Sequence, residues 1–91
     1  MEIARRQHRL KTWREYYAAV ISGEKTFEVR LDDRHYEVGD ELHLFDFDQT
    51  SDGVSFHGSC LCDVAYVLKG GQFGIEQGYV VMGIKLTKII A

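Results

Sequence analysis

The chain has 91 residues, 45% of them hydrophobic and 12% aromatic, enough for one hydrophobic core, too little for two, and unlike a disordered chain. No apolar run approaches the ~20 residues that cross a bilayer, and the basic N-terminus is not followed by an apolar signal-peptide core, so one soluble, cytoplasmic domain over residues 1–91 with no membrane partner is expected. The net charge of −3 excludes attraction of nucleic acid by bulk charge, yet Arg5, Arg6, Arg9, Lys11 and Arg14 crowd nearly half of the 11 basic residues into the first 14 positions, leaving room for a local basic patch.

A short strand is expected around His8 to Lys11. Thr12 and Glu15 have the spacing of a capping box, which predicts a helix from that point. Trp13, Tyr17, Val20 and Ile21 then form an apolar stripe at helical spacing, and Gly23 supplies the left-handed residue that ends it. A strand from Lys25 to Leu31 follows, in which alternation puts Phe27, Val29 and Leu31 on one face and Thr26, Glu28 and Arg30 on the other. The apolar set is expected to build core and the charged set to face outward.

Asp32-Asp33-Arg34-His35 reads as a turn, and Val38-Gly39-Asp40 as a structural turn ahead of a strand from Glu41 to Phe47. Asp48 to Gly53 has the composition of a hairpin connection. The returning strand begins at Val54, bends or bulges near Gly58 and continues from Cys60 to Leu68. Residues 69–78 hold four glycines and read as a loop that could act as a lid, and Tyr79 to Ile90 closes as a Val- and Ile-rich strand. Cys60 and Cys62 lie on one strand face, where they pack as reduced thiols rather than bridge. The four histidines show no ligand spacing, so neither a metal nor a cofactor is expected.

One helix and about five to six strands imply an α+β domain, with the sheet curled into a small β-barrel and the N-terminal helix packed on it. The segment Gly23-Glu24-Lys25-Thr26-Phe27-Glu28-Val29-Arg30, set between a capped helix and Val38-Gly39-Asp40, resembles the ASCH domains of the PUA-like superfamily. Their mark is Gly-x-Lys-x-x-Glu-x-Arg, and Gly23, Lys25, Glu28 and Arg30 match it. The resemblance is closer still to a bacterial and phage group of such domains, of unknown function and RNA-binding-like. The resemblance covers nearly the whole chain and implies a PUA-like barrel with a cleft beside the helix that binds RNA or a modified nucleotide.

The residues are compatible with that ligand. Arg30 offers a planar fork of donors, Lys25 a compact charge for phosphate, and Glu28 an acceptor for amino or hydroxyl groups. Arg34, His8 and Lys11 are expected to assist. Stacking is expected from among Trp13, Tyr16, Tyr17 and Tyr36, with Trp13 and Tyr17 assigned to the core by the helical stripe.

Without the resemblance, Glu28 and Arg30 would read as a surface ion pair contributing ~0.2–1 kcal/mol. An alternative function, also implied by the resemblance, is a small amidohydrolase of acylated cytidine nucleosides using Lys25 and Glu28. Its pattern has a hydroxyl residue three positions after the lysine, where this chain has Glu28, so binding is favoured over catalysis. A third alternative is a protein-interaction domain.

Overall fold

Three strands alternate small or aliphatic residues at even positions, Leu42 and Leu44, then Cys60, Cys62 and Val64, then Val80, Met82 and Ile84, and all of these are buried in one cluster. Such alternation commits one sheet face to a core. A computed structural model of the protein describes residues 5–90. Its elements are β1 (Gln7–Trp13), α1 (Arg14–Ser22), β2 (Phe27–Leu31), β3 (Glu41–Thr50), β4 (Gly53–Lys69) and β5 (Tyr79–Ile90).

The strands form one mixed sheet in the order β1-β3-β4-β5-β2, in which β1 runs parallel to β3 and the other neighbours are antiparallel. Helix α1 lies on the core face against β3, β1 and β5, with Tyr17 and Val20 buried beneath it. The α+β architecture, with one helix among the described residues, is as expected. The sheet is not closed into a barrel: β1 and β2 remain its edges. The reason lies in what crosses between them. Arg30 of β2 donates from Nη2 to the Lys11 carbonyl of β1 at 3.1 Å, and Arg34 donates from Nη1 to the Arg9 carbonyl at 3.2 Å. Paired strands stand about 4.8 Å apart, so side chains interposed in this way keep the edges from pairing. The seam is bridged by guanidinium groups instead of a backbone ladder.

Local expectations fared unevenly. Gly23 is left-handed (φ 84°) and its N–H bonds to the Val20 carbonyl, ending α1 as expected. Thr12 does not cap that helix: it belongs to β1, and Trp13 occupies the cap position with no side-chain hydrogen bond. Near Gly58 the register runs from Phe45↔Ser59 to Phe47↔Phe56, so β4 carries the extra residue there. Cys60 and Cys62 are free and buried, and their mutual hydrogen bond together with burial pushes the Cys62 thiol up. Among the described residues no helix is long and apolar enough to cross a membrane. The expected features that fall on residues 1–4 and 91, the start of the basic arm and the ends of the domain, lie outside the described residues.

The largest correction concerns β2. Alternation holds, but the faces are exchanged: Glu28 is buried, whereas Phe27, Val29 and Leu31 are about half exposed. Pairing with β5 decides this, because Glu28 stands opposite the core residue Met82 and Arg30 opposite the core residue Val80. A strand shifted by one residue reverses every side chain.

The glycine-rich loop is tied by backbone bonds, from Gly70 N–H to Tyr79 O at 2.8 Å and from Gly71 N–H to Ile75 O at 2.7 Å. A Cβ at Gly70 would sit 2.0 Å from the Glu76 carbonyl oxygen and 2.7 Å from that of Tyr79. Both atoms are backbone and cannot rotate away. Gly70→Ala is expected to cost about 3 kcal/mol in a urea unfolding measurement, and unchanged stability would show that the turn yields.

Candidate functional site at the open seam

A cleft of about 410 Å³ opens along the seam between the two sheet edges. It is lined by Lys11, Thr12 and Trp13 from β1, Tyr16 from α1, Lys25 from the connection, and Phe27, Glu28, Val29 and Arg30 from β2. The helix-to-strand turn at Gly23 places Lys25 at the mouth, and the inward face of β2 places Glu28 beneath it.

Glu28 is only 3% exposed, and each of its oxygens meets a cation. Lys25 Nζ is 2.6 Å from Oε1, and Arg30 Nη2 and Nε are 2.9 and 3.0 Å from Oε2. Lys25 also donates to the Phe27 carbonyl at 2.6 Å, and Arg30 donates to Thr12 Oγ1 at 3.2 Å. Thr12 lies within β1, one residue before the cap position of α1, with its hydroxyl turned to Arg30. One buried negative charge is therefore shared by two cations, and Lys11 adds a third at the rim. The cleft carries a net positive charge.

Donors remain after this pairing. An ammonium has three hydrogens and Lys25 uses two. The fork of Arg30 is engaged through Nε and Nη2, and among the described residues Nη1 has no acceptor. Around these donors stand flat rings. The Lys25 ammonium lies 5.0 Å from the centre of the Phe27 ring and 5.8 Å from that of Tyr16, and Trp13, Tyr16 and Phe27 are each about half exposed. Cations held against π faces under partial desolvation are a recognised pairing. Here they form the walls of a polar cleft.

The structure thus brings Lys11, Lys25, Glu28 and Arg30 together. Arg34 lies farther along the same seam, where it holds the Arg9 carbonyl without lining the cleft. His8 is not part of the site. Its side chain points to the core side of β1, where Nε2 is 2.8 Å from Asp40 and its ring meets Tyr36 edge-on. Tyr36 and Tyr17 are core residues, whereas Trp13, assigned to the core from the sequence, is a cleft wall. Sequence reasoning also missed Thr12 and Phe27. Their signals were present but were taken for a cap and a core position. Among the described residues, no three His, Cys, Asp or Glu side chains gather as a metal site would need.

A family model described as a domain of unknown function, DUF3850, matches residues 7–84, most of the chain and all of the cleft. No curated protein matches it.

Proposed function

We propose, for a chain that belongs to the DUF3850 family, that the seam cleft binds RNA or a nucleotide-like ligand and that the domain is of the ASCH, PUA-like type. The observation that carries this reading is the unspent donor set of Lys25 and Arg30 between exposed aromatic rings. Phosphate oxygens would satisfy the donors, and a base would stack on Trp13, Tyr16 or Phe27. Glu28 holds both cations in place, so little ordering would be needed when a ligand arrives.

The amidohydrolase reading is weaker on the same geometry. An ammonium that donates to both Phe27 O and Glu28 offers no lone pair to activate water. Incubation with acylated cytidine nucleosides tests it directly, and Lys25-dependent release of the acyl group would restore it. The exposed apolar face of β2 is the feature that a protein-interaction reading would use.

Trp13 is the only tryptophan and lines the cleft, which makes its emission a local reporter. Titration with ribonucleoside 5′-monophosphates and short RNA should quench it with a salt-dependent affinity. Lys25→Gln leaves Arg30 to hold Glu28 and should weaken binding by about tenfold, the loss expected for one charge-assisted bond. An emission that ignores every nucleotide and RNA tried would remove the proposal.

A further inference from the structure

Odd-numbered residues of β1 and β3 point to the sheet face opposite the core, and there the two strands interleave cations with rings. The Arg9 guanidinium carbon lies 5.1 Å from the centre of Phe45, and the Lys11 ammonium 5.2 Å from that of Phe47. Phe56 of β4 stands 6.1 Å from Phe45 and 5.8 Å from Phe47, and Trp13 meets Phe47 edge-on at 4.7 Å. Two hollows follow this stripe, one of about 270 Å³ beside Lys11, Trp13 and Phe47, the next of about 520 Å³ beside Arg9, Phe45 and Phe56. The first shares Lys11 and Trp13 with the seam cleft. The three depressions form one continuous track.

Charge along the track is one-sided. Among the described residues, Asp48 lies 3.9 Å from Arg14 and 3.8 Å from His57, and at the far end Arg5 is 2.6 Å from Asp63 and 3.5 Å from Glu41. Arg9 and Lys11 have no carboxylate within ion-pair distance among the described residues, and their charges lie over ring faces instead. Phe56 is 55% exposed, so one face of its ring is open to solvent beside Phe45 and Phe47.

We propose that this outer face is a platform for single-stranded RNA, continuing from the seam cleft, so that the cleft takes one nucleotide and Arg9, Lys11, Phe45 and Phe56 take those adjacent to it. Successive flat faces flanked by cations match a strand of unpaired bases with a phosphate at each step, and a duplex hides the bases that such faces would stack. The inference rests on the nucleotide reading of the cleft and identifies its ligand as a strand.

The test compares a random-sequence RNA octamer with the four ribonucleoside 5′-monophosphates, using octamer anisotropy and Trp13 emission on wild type, Phe56→Ala and Arg9→Ala. Phe56 and Arg9 are exposed, and circular dichroism melts check that the variants fold. The octamer should bind at least tenfold tighter than any monophosphate. Phe56→Ala should lose about tenfold for the octamer and nothing for the monophosphates, and Arg9→Ala should flatten the octamer's logarithmic salt slope by about 0.7. Monophosphate binding with no gain for the octamer, or an octamer affinity indifferent to Phe56→Ala, overturns the platform and leaves the cleft reading standing. Octamer binding that needs Phe56 while no monophosphate reaches Trp13 removes the cleft reading and overturns the strand that continues from it. Failure of both ligands to bind removes both.

Discussion

Replacing Lys25 and Arg30 together by alanine should lower the stability of the protein by about 3–5 kcal/mol, the range for a buried charge stripped of its partners. Glu28 is 3% exposed, and its two oxygens face only these cations, at 2.6 and 2.9 Å. Without them the carboxylate must stay charged in a poorly solvated place, take up a proton or draw water into the core edge, and each course is unfavourable. Adding Glu28→Gln removes the charge while keeping the side chain's shape, so the triple variant should regain most of the loss in a urea titration. It should still fail to bind nucleotide, because the cleft's donors are gone. A double variant within about 0.5 kcal/mol of wild type would show that water already solvates Glu28 in the native protein. The comparison separates loss of fold from loss of site.

The second large effect is expected at Asp40, 5% exposed in the turn before β3. Its Oδ2 accepts from Arg6 Nη2 at 2.8 Å and from the Glu37 N–H at 3.0 Å, and it lies 2.8 Å from His8 Nε2. Burial pushes the Asp40 carboxyl up, but Arg6, His8 and the Glu37 amide outweigh burial and bring it down to about 2. A carboxyl lowered by folding contributes stability that is complete above its unfolded value, near 3.8, and is lost as pH falls from there through about 2. At 1.36 kcal/mol per unit, the contribution is about 2 kcal/mol. Asp40→Asn should therefore cost about 3 kcal/mol at neutral pH, counting the imperfectly paired His8 and Arg6 left behind. Below pH 3 its penalty should shrink. Parallel pH profiles of thermal unfolding check this, and a penalty constant with pH would assign the loss to packing.

The acid clamp also explains how the first strand finds its place. Arg6 reaches Asp40 and the His35 carbonyl, and Arg5 reaches the Gly39 carbonyl at 3.1 Å and Asp63 at 2.6 Å. Two of the basic residues read from the sequence as a patch are thereby spent on holding β1 against β3. Arg9 and Lys11 lie on the outer side of β1 and remain for a ligand.

Much was legible from local pattern. The left-handed Gly23, the alternation in β3, β4 and β5, the extra residue beside Gly58 and the packing of the cysteines depend on backbone sterics or on the period of two, and both act within a few residues. Lys25, Glu28 and Arg30 were also legible as a cluster, because alternation puts the last two on one face whichever way the strand turns. What alternation cannot supply is which face is inside. For β2 that choice came from β5, fifty or more positions later, where Met82 and Val80 define the core side. Thr12 likewise found its partner outside its own stretch, in Arg30 eighteen positions later, and its place inside β1 took it out of the cap position.

The sequence by itself determined the elements, their order and the identity of the charges, since propensity, turn chemistry and periodicity are properties of short stretches. Only the tertiary structure decided that Glu28 is buried, that His8 serves Asp40 rather than a ligand, and that the sheet remains open. Each of these depends on which distant groups arrive at the same point, and at the seam it is the reach of Arg30 from one edge to the carbonyl of the other that turns a would-be barrel closure into a cleft.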